Sequence, residues 1–178
     1  MNNSALQRIA HKAGATRVSS EVYNRARSIG DQYLDSIVRY AIIYCDHEKK
    51  KVVTEDHALH AIEHVGFSGM YRVSGDTPKC KTSNKKKLIT RIKEYQNQSD
   101  CVTLSKAPIE HQIKSLGSGY KWSKESLINI QFALEFMLYQ LLSSALKVTI
   151  NAKRVTMSES DLDLTIDLIT TNCKNIRI

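Results

Sequence analysis

The sequence predicts an all-α chain built from two copies of one unit, each a short helix, a long helix and a second short helix. Two observations predict this. Breakers are sparse: the 178 residues include 2 Pro and 7 Gly, and 7% are aromatic. An all-β sandwich needs turn residues every ~8–12 positions. The two flanks of the chain also carry one apolar pattern at an offset of 104 residues. With 42% apolar residues, the chain has enough material for a packed core.

In the first copy, Leu6, Ile9, Ala10 and Ala13 mark a short helix. TRVS (Thr16 to Ser19) follows, ending in a serine that suits a helix cap. Tyr23, Ala26, Ile29, Tyr33, Ile37, Ala41 and Tyr44 then step by three or four and make one apolar stripe. The helix they predict runs from about 20 to 47 and is ~42 Å long. A helix of that length needs a partner laid across it. The basic loop KKKVVT (Lys49 to Thr54) leads into a short helix in EDHALHAIEHVG.

The second copy repeats the order. Ile109, Ile113 and Leu116 mark its first helix, with Pro108 in the first turn. YKWS (Tyr120 to Ser123) precedes the stripe Leu127, Ile130, Ala133, Met137, Leu141, Ala145 and Val148, each 104 positions after its counterpart. NAKRVTMS (Asn151 to Ser158) and ESDLDLTIDLIT complete the unit. The second long helix is the partner the first one needs.

Charge divides the chain in the same way. Lys and Arg number 26 against 18 Asp and Glu, a net +8 with His neutral. Residues 1–66 and 107–178 each carry +1, and residues 67–106 carry +6. Gly69, Gly75 and Pro78 mark that middle stretch as a connector. Within it, NKKKLITRIKEYQNQ sets Leu88, Ile89, Ile92 and Tyr95 on one side of a short amphipathic helix. The predicted organisation is therefore a unit at 1–66, a basic linker with a short helix at 67–106, and a unit at 107–178. The basic excess permits an anionic partner.

Other classes find no support. No apolar run reaches the ~18 residues of a membrane span, and MNNSALQRIAHKAG lacks the apolar stretch of a secretory signal. Cys45, Cys80, Cys101 and Cys173 show no CxxC spacing, so structural zinc is not expected and reduced, intracellular thiols are. There is no Gly-rich phosphate loop, GxSxG or HExxH, so neither an enzyme nor a cofactor is expected. His57, His60 and His64 fall at i, i+3, i+7, a spacing that could hold a metal. No Cys or carboxylate completes an evident site, and a polar interface face is the better reading.

These residues resemble the histone fold. LQRIAHKAGATRVS, VYNRAR, YCDHEKKKVVT and ALHAIEHVG look like core histone four; YKWS and NAKRVTMSESDL look like core histone three. The resemblance covers about 130 of the 178 positions, in the same order and spacing through both units. Fused four–three doublets of this kind are known from giant DNA viruses of the marseillevirus type. The resemblance implies two histone folds in one chain, paired head-to-tail as an intramolecular pseudo-heterodimer. It implies a chromatin architectural role: wrapping double-stranded DNA without sequence specificity in a nucleosome-like particle, in a virion, viral factory or host nucleus. The histone-four-like core begins within about five residues of Met1, so long basic tails and their acetylation signalling are not expected.

The resemblance also assigns residues. Arg17, with Lys121 as its equivalent, occupies the position that enters the minor groove, where a narrow groove concentrates negative potential; the histone octamer is a general example of this contact mode. Lys121 lacks arginine's planar fork. Head-to-tail pairing would set Arg17 near Lys153 and Thr156, and Lys121 near Lys49, Lys50 and Lys51, with helix N-termini adding amides for phosphate. Arg8, Lys12 and Lys114 would form a third, central DNA site.

Arg154 and Asp161 match the clamp between second loop and third helix, and Arg154 also counts among the DNA-facing residues. In unit one Lys50 and His57 take those places and Val52 replaces a threonine, so a looser loop is expected. Asn151, Arg154, Asp161 and Leu164 fall where a second copy would join through unit two, with Arg154 meeting the facing Asp161 while also holding its own clamp. Val148 and Asn151 replace a cysteine and a histidine, leaving no thiol–imidazole site there. Tyr44, His47 and His60 fall where a histone two-B/two-A-like doublet or pair would dock. The alternative is a histone-fold interaction subunit of a transcription or repair complex, which the near-neutral units favour. A simple archaeal-type doublet fits less well, given the long linker and two distinct unit identities.

Overall fold

The computed structural model describes residues 2–65 and 103–174. The predicted linker helix, with Leu88, Ile89, Ile92 and Tyr95, lies outside the described residues. Among those described, six helices and four two-residue strands follow in order: α1 (Asn3–Lys12), β1 (Arg17–Val18), α2 (Ser20–His47), β2 (Val52–Val53), α3 (Glu55–Val65), α4 (Lys106–Leu116), β3 (Lys121–Trp122), α5 (Lys124–Asn151), β4 (Thr156–Met157) and α6 (Glu159–Lys174).

The offset of 104 read from the apolar stripes holds at both ends of the long helices and in all four strands. It extends to backbone conformation. Lys49 and Lys153, just past the long helices, both take a left-handed φ of 55°, which non-glycine residues seldom adopt.

The two units share one core. Leu6, Ile9, Leu34 and Ile37 of the first interleave with Ile113, Ile130, Leu134, Leu138, Leu141, Leu142 and Leu162 of the second, all under 2% exposed. Helix α2 packs on α4, α5 and α6, and α1 and α3 both pack on α5. Each buried aliphatic side chain of this size contributes ~1.5–3 kcal/mol, and neither unit alone could cover its stripe. Polar contacts fix the register. Arg25 Nε meets Asp163 Oδ1 at 2.8 Å, Gln112 Nε2 donates to Asp31 Oδ1 at 2.9 Å, and Asn129 Nδ2 donates to Glu55 Oε1 at 3.2 Å.

The strands lock the ends. β1 pairs with β4 and β2 with β3, both parallel. The first loop of each unit therefore lies beside the second loop of the other.

Two details differ from the sequence reading. Ser123 caps α5 by accepting the Ser126 amide at 3.1 Å, but Ser19 makes no such bond. Its hydroxyl donates to Glu21 Oε2 at 3.4 Å, which diverts it from the helix amides. Packing of the second unit also begins ahead of residue 107. Thr103 and Leu104 are buried, and their amides donate to Glu135 Oε2 at 3.0 and 3.2 Å. Glu135, at mid-helix in α5, is 1% exposed and anchors this entry segment.

Candidate nucleic-acid interface

The two bridges gather the basic loop residues into two clusters. In the first, the Cα register sets Arg17 opposite Thr156 and Val18 opposite Met157, and the Ser19 amide donates to Met157 O at 3.1 Å. Lys153 and Arg154 precede β4 in the same loop. In the second, Val52 stands opposite Lys121, and the Lys121 amide donates to Lys51 O at 3.0 Å. Lys49 and Lys50 lie just before it.

Arg17, Lys49, Lys121 and Lys153 are exposed and carry no ion pair among the described residues. The other cations are partly engaged. Lys51 Nζ lies 5.5 Å from the centre of the Tyr120 ring, within cation–π range. The Tyr120 hydroxyl donates to Asp46 Oδ1 at 2.6 Å, and that hydrogen bond, ahead of burial, pushes the phenol pKa up. Lys50 Nζ pairs with Glu48 Oε2 at 2.6 Å.

The Arg154–Asp161 clamp is present. Asp161 is 2% exposed; its Oδ2 accepts from the Ser158 amide, the Ser158 hydroxyl and Thr149 Oγ1, each at 2.9 Å. Burial pushes its pKa up, but the Ser158, Thr149 and Arg154 hydrogen bonds together bring it below the ordinary aspartate value. Asp161 is thus held within its own chain by Ser158, Thr149 and Arg154.

Unit one has its own device where the sequence predicts a looser loop. Glu48, just past α2, meets Lys50 and, at 2.9 Å, His57 Nε2. The Lys50 and His57 contacts hold its carboxyl at about 2. Sequence reasoning missed Glu48; the signal was there, because the residue 104 positions later is Ala152.

The predicted central site is less coherent. Arg8 and Lys114 are exposed on α1 and α4, and Lys114 Nζ lies 3.6 Å from Glu110. Lys12 Nζ lies 3.6 Å from Glu135, turned toward the buried carboxylate.

Two apolar faces remain. On unit one, Tyr40 packs against His64 and Tyr44 against His60 as tilted ring pairs, with ring centres 4.3 and 5.5 Å apart, and His47 is exposed nearby in chain at the end of α2. Tyr40 and His64 extend the predicted Tyr44, His47 and His60. On unit two, Ile150, Val155, Leu164 and Leu168 are about half exposed, with Asn151 exposed beside Ile150 in sequence. Among the described residues no cluster of His, Cys, Asp or Glu could hold a metal, and no helix is long and apolar enough to cross a membrane.

Short–long–short helices joined by parallel loop bridges define a histone fold, and comparison with known proteins agrees. Residues 82–168 match the family model of the core histone domain, that of histones two-A, two-B, three and four. The histone from Methanopyrus kandleri has a similar structure, with a TM-score of 0.64 over 93% of each chain at 15% identity.

Proposed function

We propose that this chain is a histone doublet, two histone folds paired head-to-tail, that binds and wraps double-stranded DNA without sequence specificity. The observation that carries the reading is the pair of loop bridges. They set Arg17 beside the Lys153–Thr156 loop at one bridge and Lys121 beside Lys49–Lys51 at the other. Arginine and lysine on loops tied by main-chain bridges suit phosphate contact along a bent duplex. A likeness to one solved chain over 93% of this one takes in both units and supports the doublet. The resemblance to giant-virus four–three doublets supports the same order of units and a place in viral chromatin.

In this reading the half-exposed Ile150, Val155, Leu164 and Leu168 meet a second copy, and the Tyr40–His64 and Tyr44–His60 face meets a two-B/two-A-like partner. The exposed apolar faces also favour a second reading, a protein-assembly subunit for which DNA is secondary. Nuclease digestion of a complex reconstituted on long DNA separates the two. A discrete protected length is expected; a smear without protection, from protein that is folded and paired with its partner, overturns DNA wrapping.

A further inference from the structure

The two units hold their second loops with opposite chemistry. In unit two Asp161, the third residue of α6, accepts the Ser158 amide and pairs with Arg154 of the loop. In unit one the residue 104 positions earlier is His57, the third residue of α3. Its Nδ1 accepts the Thr54 amide at 3.1 Å. A ring nitrogen here does the work of a carboxylate. His57 Nε2 lies 2.9 Å from Glu48 Oε2, yet it is buried and not aligned as a hydrogen bond. Glu48 also takes Lys50 Nζ at 2.6 Å. The acid has moved from helix to loop, a histidine takes its place on the helix, and Lys50 keeps a base in the loop. Cys45 completes the tie: its carbonyl accepts the Lys50 amide at 3.0 Å, and its thiol donates to Lys50 O at 3.2 Å.

We propose that His57 and Glu48 are the positioning pair of the Lys49–Lys51 loop, and that protonation of His57 in acid releases the loop. The inference rests on the DNA-binding reading above. Nδ1 can accept the Thr54 amide only through its lone pair. A second ring proton would aim N–H at N–H, and a ring 1% exposed has little access to water as a substitute partner.

The surrounding charges act in both directions. Glu48, and Glu55 and Asp56 in the first turn of α3, favour the imidazolium. Lys50 opposes it, as do Lys51 and Lys121 across the bridge, the N-terminal dipole of α3 and burial. On α5, Asn129 is neutral and engages Glu55; on α2, the Cys45 thiol is raised by burial and then by Asp46 and Glu48, and stays neutral. The attraction of Glu48 falls on Nε2, so it does not restore the cap lost at Nδ1.

The test uses the full chain. Amide hydrogen exchange at Thr54 and in the loop is measured on free protein at about pH 7.5 and about pH 5.5, spanning the usual imidazole range and corrected for intrinsic rates. Thr54 protection is expected to fall about fivefold or more in acid while α2 and α5 amides hold, the size of one hydrogen bond. His57→Asn keeps an acceptor that does not titrate and is expected to abolish the change. Should it fold poorly, His57→Asp with Lys50→Arg copies the pair of unit two. Equal Thr54 protection at both pH values in wild type overturns the proposal.

The salt dependence of binding to two unrelated duplexes is then compared between wild type and His57→Asn. The wild-type slope is expected to lose up to ~2.7 more in acid, ~0.9 for each lysine contact. Protection that falls without a change in slope overturns the loop's positioning role while DNA binding stands. Absence of DNA binding at both pH values, with protection still falling in acid, overturns the functional reading and leaves only the clamp.

Discussion

Arg17 stands opposite Thr156 in a parallel bridge that joins the first loop of one unit to the second loop of the other. The side chain proposed to meet DNA most directly is thus positioned by a residue 139 places further along the chain. Displacing either unit would move it. Arg17 is exposed, on a two-residue strand held by main-chain hydrogen bonds, so its removal should leave the fold intact.

Arg17→Gln is expected to weaken binding to all duplexes alike and to lower the salt slope by ~0.9. Fluorescence anisotropy on two unrelated sequences of equal length, over a salt series, measures both quantities. In wild type the two sequences should bind with similar affinity. A preference near ~1000-fold, typical of specific recognition, would contradict backbone readout.

Asp161→Ala is expected to cost about 2–3 kcal/mol. That is below the ~3–5 of a fully buried pair, because the Arg154 side chain is 45% exposed and screened. The lowered Asp161 pKa also sets a sign. Its folded-state value lies below its unfolded value, so the contribution is present above the unfolded pKa and lost as pH falls through the folded one. Denaturant melts from neutral to acidic pH should show wild type losing stability that Asp161→Ala has already lost.

The repeat was legible because helix period and loop length are local properties. Tyr23 to Tyr44 and Leu127 to Val148 marked both long helices, and the resemblance to core histone three pointed to Arg154 and Asp161. What was not legible depended on side-chain direction. Ser19 and Ser123 occupy equivalent sequence positions, yet the acceptor Glu21 diverts the first and the second caps its helix. Lys12 reads as a surface cation until the buried Glu135 on α5 is found 3.6 Å away. Glu48 differed visibly from its counterpart Ala152, but one of its partners, His57, comes within reach only once α3 turns back against α2.

Leu164 and Leu168 are 48% and 52% exposed on α6. Changing both to Asp is expected to hold the variant at the monomer mass by light scattering, while unmodified protein gains mass with concentration. Circular dichroism should show helicity retained, because neither side chain belongs to the core. A wild type that stays monomeric at high concentration and on DNA argues against this face as a self-interface.

The lysine run of the linker can be tested although it lies outside the described residues. The core histone match begins at residue 82 and so takes in Lys85, Lys86 and Lys87. Changing all three to Gln is expected to lower the salt slope by up to ~2.7. An unchanged slope, with melting unaltered, would make the segment a spacer and leave phosphate contact to the loops.

Glu135 ties the entry segment of the second unit to Lys12 of the first. Its carboxylate accepts two main-chain amides, those of Thr103 and Leu104, and lies 3.6 Å from Lys12 Nζ. Glu135→Leu leaves both amides without this acceptor, at ~1–3 kcal/mol for each one that stays buried. Glu135→Gln keeps a carbonyl acceptor for them and gives up only the attraction to a lysine whose side chain is 37% exposed, a small term once screened. Thermal and urea melts should therefore rank Leu well below Gln, with Gln close to wild type. The Gln variant also loosens the hold on Lys12. If Lys12 reaches phosphate beside Arg8 and Lys114, the salt slope of Glu135→Gln should rise by up to ~0.9. A slope equal to wild type in a stable Glu135→Gln protein would remove Lys12 from the DNA-facing set and leave it the partner of a buried carboxylate.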